Sequence, residues 1–156
     1  MEISELNRIL RNKAIKHGLC DEWQQKVWHR DLSYGELLGI FIKGFDFSVK
    51  EDWLDYDFCK EVFPADELHK AHIYIDEDVD LKASEGGYYV FLGKCRGRLV
   101  ADGLVALTVY VRHGSRMDVV ADDGAKVFVT CYDAGEASCV SDGWSFIRKY
   151  DKTNKK

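Results

Sequence analysis

A short apolar pattern recurs four times in the second half of this chain. Its four copies are Val90-Phe91-Leu92, Val109-Tyr110-Val111, Val127-Phe128-Val129 and Phe146-Ile147-Arg148. The copies follow one another at nearly constant spacing, and glycine-bearing turns such as Asp123-Gly124 separate them. A weaker set of alternating apolar positions, for example Met117 and Val119, falls about midway between the copies. Each repeat of about 18–19 residues is therefore predicted to hold two short strands and two turns.

Two architectures fit this repeat. In a β-solenoid each repeat is one coil and equivalent strands stack in parallel, whereas in a meander or small barrel successive strands pair as antiparallel hairpins. The near-constant period and the matched residue types favour the solenoid. When the copies are aligned on their first apolar position, alternate residues point to opposite faces. The predicted inner ladder is Val90, Val109, Val127 and Phe146. The predicted outer column is Phe91, Tyr110, Phe128 and Ile147. We expect the helical half to cap the first coil and Trp144-Ser145-Phe146, with the basic tail, to close the last.

The first half of the chain carries helical patterns. Apolar residues recur there at helical spacing, and residues suited to capping stand at the ends of the segments. The predicted helices run from Ser4 to about Lys16, from Asp21 to about Arg30, from Ser33 to Gly44 and from Asp55 or Asp57 to before Pro64, followed by a turn at Asp66–Lys70 and a strand at His72–Ile75. Ser33 and Glu36 have the spacing of a capping box. We interpret the many aromatic residues of these segments as core, because each removes a large apolar area from water.

The chain is thus predicted to be an α+β protein, in which a small helical unit packs on an all-β repeat unit. The expected divisions are an acidic helical unit at residues 1–70, a β-repeat unit at residues 71–150 and a basic tail at residues 151–156. Residues 1–80 hold 10 Lys and Arg against 18 Asp and Glu, while residues 81–156 hold 12 against 9. An acidic half beside a mildly basic one offers no uniform attraction to phosphate, which disfavours nucleic acid as a partner.

The sequence also bears on location. Its apolar runs are shorter than the ~18–20 residues that span a bilayer, and its first residues lack the basic and apolar regions of a signal peptide. The five cysteines are dispersed and contain no CxxC pair, which is typical of reduced and mostly buried thiols. We therefore expect a cytoplasmic protein without membrane contact.

Metal-binding candidates are weak. They are an HxxH pair and a run of alternating carboxylates, namely His69, His72, Asp76, Asp78 and Asp80. The carboxylates resemble the start of an EF-hand loop, but Leu81 and Gly87 stand where that loop needs glycine and a bidentate glutamate. The run is better interpreted as a solvated acidic connector, and the expectation is that the chain binds no cofactor.

Catalytic signatures are missing as well. The five cysteines and five histidines allow many pairings, but the sequence contains no GxSxG, HExxH or P-loop motif. No catalytic residue is therefore predicted. The alternative hypothesis, a small cysteine- or histidine-dependent hydrolase or a metal-dependent enzyme, would place its site where the two halves meet.

The whole chain resembles uncharacterised bacterial and phage-associated proteins that join an N-terminal helical region to a C-terminal tract of short β-repeats. The residues behind this resemblance are Cys20-Asp21-Glu22-Trp23-Gln24, Gly44-Phe45-Asp46-Phe47, Val109-Tyr110-Val111-Arg112-His113 and Ala125-Lys126-Val127-Phe128-Val129. The repeat tract alone is similar to β-helical scaffold proteins that polymerise through stacked coils. Neither resemblance implies a catalytic residue.

These observations favour a non-enzymatic binding or scaffold module that acts through one face of the β-repeat and through self-association. The expected partner is a protein or a second copy of the chain. The predicted contact residues are the outer column with the basic residues beside it, namely Phe91, Tyr110, Phe128, Arg112 and Lys126. The open alternative is that the helical half covers this column, since an uncovered aromatic column is an unusually large apolar patch for a monomer.

Overall fold

The computed structural model describes residues 1–152, except for the side chain of Val27. It divides into two compact units, Met1–Ala71 and His72–Lys156. The first is helical and the second is a parallel β-solenoid. Of the predicted basic tail, residues 153–156 lie outside the described residues.

The helical unit contains five α-helices within the described residues and one π-helical turn. The helices are α1 (Ile3–Lys16), α2 (Tyr34–Lys43), α3 (Phe45–Glu51), α4 (Tyr56–Val62) and α5 (Ala65–Lys70), and the π-helical turn spans Trp23–Val27. The capping box at Ser33 is confirmed, because its hydroxyl accepts from the Glu36 amide and the Glu36 carboxylate accepts from the Ser33 amide. The predicted helix from Asp21 to about Arg30 forms but ends at Val27 and is π-helical from Trp23, and the sequence pattern did not predict α3.

One buried amide organises the N-terminal part of this unit. Asn7 is 3% exposed, and its Nδ2 donates to the carbonyls of Ile3 and Leu32, at 2.9 Å each. Its Oδ1 accepts from the Leu32 amide and from Nε1 of Trp28. Both polar atoms of the side chain are therefore satisfied, as burial requires, and α1 is fastened to the segment that follows the π-helical turn.

Aromatic side chains fill much of the helical core, as predicted. Those at most 3% exposed are Trp28, Phe41, Phe45, Trp53 and Phe63. Phe41 and Phe45 meet edge to face with ring centroids 5.3 Å apart, and Trp28 lies 6.2 Å from Trp53. Such tilted pairs are the favoured geometry for aromatic rings in a core.

The second unit is built from nine short strands in its described residues. They are β1 (Ile73–Ile75), β2 (Asp78–Ala83), β3 (Gly87–Leu92), β4 (Arg96–Asp102), β5 (Ala106–Val111), β6 (Arg116–Asp122), β7 (Lys126–Cys131), β8 (Glu136–Ser141) and β9 (Phe146–Asp151). The odd-numbered strands form a five-stranded sheet and the even-numbered strands a four-stranded sheet. The pairings in both sheets are parallel, so the solenoid prediction is confirmed and the antiparallel alternative is wrong.

From β3 onward the repeat period is longer than predicted. Tyr89 pairs with Val109 and Val109 with Val129, so equivalent positions recur every ~20 residues. The four-stranded sheet keeps the same offset from Met117 to Ala137. The first coil is shorter, because Ile73 pairs with Val90 and Asp78 with Arg96. The predicted copies are only 18–19 residues apart, so they match positions that do not pair in the sheet.

The correction moves side chains between faces. Because neighbouring residues of a strand point to opposite sides, a slip of one position exchanges inside and outside. Phe91 and Ile147 face the core between the sheets, whereas Tyr110 and Phe128 face outward as predicted. Val90 is in register with Tyr110, so the predicted outer column does not exist as a single ladder.

Aliphatic side chains from both sheets fill the solenoid core. Fully buried members include Val109, Val111, Val119, Val127 and Val129. At Gly97 in β4, and at Gly135 in the turn before β8, the backbone of the preceding coil approaches so closely that glycine is required. A Cβ at Gly97 or Gly135 would meet the carbonyl of the preceding coil, that of Val79 or Val111, far inside van der Waals distance.

Charged residues occupy core positions in the last described coil. Lys149 is in register with the inner valines and Asp151 with the inner Cys131. The Lys149 ammonium donates to the carbonyl of Ala137 at 3.1 Å, across the end of the core. Trp144 is 88% exposed, so the prediction that it closes the last coil is wrong. Inward-facing charges on an edge strand oppose the addition of another strand, and here they oppose further coils.

Replacing one phenylalanine inside the core and one outside tests the register. Phe91→Ala is expected to lower the free energy of unfolding by about 3–5 kcal/mol, because it leaves a cavity among fully buried side chains. Phe128→Ala, at a position 39% exposed, is expected to cost about 1 kcal/mol or less. Urea denaturation of both variants measures the difference. Equal losses would show that the two rings share one environment.

Removing the charges at the end of the core tests their role in blocking association. The double variant Lys149→Val/Asp151→Val is expected to form dimers or larger species, because an apolar end with a free strand edge is then exposed. The control Arg116→Val/Glu136→Val removes an ion pair of 3.3 Å from an outer face, with the same change in charge and in side-chain type. Sedimentation velocity should show association only for the first variant, and association of both would refute the blocking role.

Candidate binding surface

The outer face of the five-stranded sheet carries aromatic and basic side chains, and no carboxylate, along β5, β7 and β9. Its outward residues on these strands are Ala106, Thr108, Tyr110, Lys126, Phe128, Thr130, Phe146, Arg148 and Tyr150. On β3, Tyr88 continues the ladder of Thr108 and Phe128. Together these residues form the aromatic face, which consists of Tyr88, Tyr110, Phe128, Phe146 and Tyr150 with Lys126 and Arg148.

Ring contacts connect the strands across this face. Tyr88 and Tyr110 lie on neighbouring strands with ring centroids 6.1 Å apart, and Phe128 and Phe146 are 5.8 Å apart. The Arg148 guanidinium lies 5.9 Å from the Phe146 ring centre, within the range of a cation–π interaction. The rings therefore support one another and stand on a hydrogen-bonded sheet.

The rings are also accessible. Phe128 is 39% exposed, and Tyr88, Phe146 and Tyr150 are 42–43% exposed. Large apolar side chains that cluster at such exposure on one surface commonly mark an interaction site. Lys126 and Arg148 are exposed among them, so the local charge of the face is positive.

The outer face of the four-stranded sheet is different, because opposite charges there lie side by side. One row across this sheet places Asp78 of β2 beside Arg96 of β4, and Arg116 of β6 beside Glu136 of β8. Arg116 and Glu136 form an ion pair of 3.3 Å, and nearby Lys82 and Asp102 form one of 3.1 Å. Exposed pairs of this kind add little stability, and they leave the face with compensated charge.

The structure brings three of the five predicted contact residues together. Tyr110, Phe128 and Lys126 lie on the aromatic face. Phe91 does not, because it is fully buried in the solenoid core. Arg112 does not either, because it is 6% exposed and its Nε donates to the carboxylate of Asp133 at a corner of the coil.

This face has four further members that were not predicted from the sequence, namely Tyr88, Phe146, Tyr150 and Arg148. A signal was present at the ends of the weaker strands, where Asp102, Asp122 and Asp142 recur at a constant interval that matches the period of the later coils. Applied to the stronger strands, that interval aligns Tyr88 with Phe128 and Arg148.

The two histidines of the predicted metal site lie in different units. His69 is at the end of α5, and His72 is the first residue of the β-repeat unit. The His72 ring stacks on Tyr89 at 4.2 Å between centroids, and its Nδ1 lies 3.3 Å from the Tyr88 carbonyl oxygen. These contacts give His72 a packing role in the first coil.

The carboxylates of that predicted site hold the strands together. The Asp76 side chain accepts from the Lys94 amide at 2.8 Å. Asp78 and Asp80 belong to β2, each opposite an arginine of β4, so the predicted acidic connector is wrong from Asp78 onward. Among the described residues, no group of three His, Cys, Asp or Glu side chains is placed to hold a metal ion.

Four thiols have the electrostatics of packed side chains. Burial raises the pKa of Cys59 to about 12 and that of Cys131 to about 11. Burial also raises the pKa of Cys95 and of Cys139. A nucleophilic cysteine needs the opposite shift, because the thiolate is the reactive form.

Comparisons with protein families, with curated proteins and with solved structures find no match to this chain. The resemblance to bacterial and phage-associated repeat proteins stays a prediction. In the described part of the chain, no helix has the length and apolar character needed to cross a bilayer. The aromatic face is therefore interpreted from its own chemistry.

Alkylation with iodoacetamide at pH 8 tests the state of the thiols. Cys20 is exposed and is expected to react first, whereas Cys59 and Cys131 should react at least about 100-fold more slowly, because little thiolate is present at that pH. Mass spectrometry of peptides follows each site, and reaction in denaturant, where all five thiols are accessible, is the control. Rapid labelling of Cys131 or Cys139 in the folded protein would instead support the hypothesis of a cysteine-dependent enzyme.

Proposed function

We propose that this chain is a non-enzymatic binding module that contacts a partner protein through the aromatic face. The observation that carries this proposal is the exposure of four rings, with two cations and no outward carboxylate, on a face that spans the four adjacent strands β3, β5, β7 and β9. Tyrosine and arginine, together with tryptophan, are enriched among the residues that contribute most of the binding energy of protein interfaces. The face supplies both types on one surface.

The rigidity of the solenoid supports this role. The rings stand on strands paired along their length, with fully buried valines directly beneath them. A surface that is already ordered does not pay the entropy of arranging loops when a partner binds. The free energy of burying the rings is then available for affinity.

The charge of the face favours a different protein over a second copy bound by the same face. In a two-fold symmetric dimer the same patch meets itself, so the interface would bring together four cations, Lys126 and Arg148 of each copy, without an outward carboxylate to pair with them. Like charges brought together in an interface oppose association. The partner that fits has apolar or aromatic residues at its centre and carboxylates around them.

The hydrolase alternative receives no support from the described side chains. The raised thiol pKa values favour packing over nucleophilic attack. The His72 ring is stacked on Tyr89, and the candidate carboxylates face backbone amides or arginines. A binding role accounts for the exposed rings, which a catalytic role leaves unexplained.

Site-specific photocrosslinking tests which face meets the partner. A photoreactive phenylalanine analogue placed at Phe128, in cells that make the chain, is expected to capture one partner protein. The same analogue at Val140, which is 61% exposed on the outer face of β8, is the matched control and should capture none. Equal capture at the two positions would contradict the assignment of the face, and capture of the chain itself would point to self-association.

Affinity for the captured protein provides the quantitative test. The double variant Phe128→Ser/Phe146→Ser is expected to bind at least about 100-fold more weakly, because it removes two contacting rings from the centre of the face. Its thermal stability should change little, since both rings are near 40% exposed. The Val140→Ser variant should bind like the wild type in calorimetry. Unchanged affinity of the double variant would refute the proposal.

A further inference from the structure

All three arginines of the helical unit line one cleft. Arg8, Arg11 and Arg30 surround a cavity of about 330 Å³, whose other lining residues are Asn7, Trp28, His29 and Asp31. The other cations of residues 1–71 are lysines, apart from the histidines. We propose that this arginine cleft binds the phosphate group of a small phosphorylated molecule.

Helix α1 supplies the two principal cations. Arg8 and Arg11 are three residues apart, so they lie on the same side of the helix. Arg8 is exposed and makes no hydrogen bond or ion pair within the described residues. The Nε of Arg11 donates to the Trp28 carbonyl at 3.0 Å, which fixes that guanidinium beside the cleft. Its two terminal nitrogens have no hydrogen-bond partner in the described part of the chain.

The base of the cleft is rigid. Trp28 is 1% exposed, and its indole nitrogen donates to Oδ1 of Asn7. The Asn7 side chain also donates to the Leu32 carbonyl and accepts from the Leu32 amide. The segment that carries Trp28, His29 and Arg30 is thereby fastened to α1. A site whose side chains are already ordered loses less conformational entropy when a ligand binds.

The third arginine is positioned by its neighbours. Arg30 binds the Glu36 carboxylate through both terminal nitrogens, at 2.7 and 3.4 Å, and it also donates to the Asp31 carbonyl. The hydrogen bond from Arg30 lowers the pKa of Glu36 to about 2, so this carboxyl is ionised at any ordinary assay pH. Arg30 is thus partly neutralised, and the uncompensated charge of the cleft comes from Arg8 and Arg11.

The charge of the surroundings makes the cleft distinct. Residues 1–71 contain 10 Lys and Arg against 14 Asp and Glu, so the unit is acidic as a whole. The lining of the cleft reverses this balance, with three arginines against Asp31 alone. An anion is therefore attracted to this place and repelled by the rest of the unit.

The residue type and the size of the cleft indicate the ligand. Guanidinium groups present several N–H donors in a plane, which match the oxygens of phosphate better than an ammonium does. A volume of about 330 Å³ lies at the lower end of the range for small-molecule sites, so it accepts a phosphate together with a modest organic group. Sulfate presents the same tetrahedral oxygens, whereas a carboxylate is planar.

Titration with inorganic phosphate, followed by ¹⁵N NMR of the full chain at low salt, tests the proposal. Saturable shifts are expected at the Trp28 indole N–H and at Nε–H of Arg11. Arg8→Gln should weaken binding at least about ten-fold, because it removes a charge-assisted contact. Lys16→Gln removes one exposed cation from the same helix and should leave the affinity unchanged. Arg8→Lys, which keeps the charge and loses the fork of donors, should fall between them.

The variants and the other anions distinguish a specific phosphate site from diffuse attraction to the helix and from a carboxylate site. Arg8→Gln should keep the wild-type spectrum away from the cleft, because Arg8 has no partner in the described residues, so a loss of binding reports on the site. Equal weakening by Lys16→Gln would show diffuse attraction to the helix and would overturn the proposal. So would the lack of a saturable response up to about 20 mM phosphate. Titrations with sulfate and acetate compare the ligand classes, and tighter binding of acetate than of phosphate would assign the cleft to carboxylates instead.

Discussion

Parallel stacking of each strand on its equivalent in the next coil is the constraint on which the β-repeat unit depends. Each strand hydrogen-bonds to the strand of the next coil, so one register determines the neighbours of every side chain. Alternation along the strand then decides which residues are core and which face water. Val109 and Val129 lie inside because of this register, and Phe128 lies outside because of it.

The outer faces of the two sheets differ because the register brings different types of side chain together on each of them. On the four-stranded sheet it places Arg116 opposite Glu136, and the charges cancel. On the five-stranded sheet it gathers rings around Lys126 and Arg148 without a carboxylate. A flat and ordered surface of that composition is suited to recognition, while the charged inner positions of β9 oppose extension of the solenoid.

The helical unit depends on a different interaction, the buried amide of Asn7. Its four hydrogen bonds connect α1 to the backbone near Leu32, and they compensate the cost of burying a polar group. The same connection brings the arginines of α1 beside Arg30. Stability and the arginine cleft therefore have a common origin in one network.

The sequence by itself determined the kinds of structure in this protein. Helical spacing with the capping box at Ser33 predicted α2, and the repeat predicted a parallel solenoid with valines inside, because burial and capping act locally on residue type. Only the tertiary structure decided the register, which placed Phe91 in the core and Phe146 on the aromatic face. It also decided that Arg8, Arg11 and Arg30 meet. These depend on hydrogen bonds between distant segments, which local patterns do not specify.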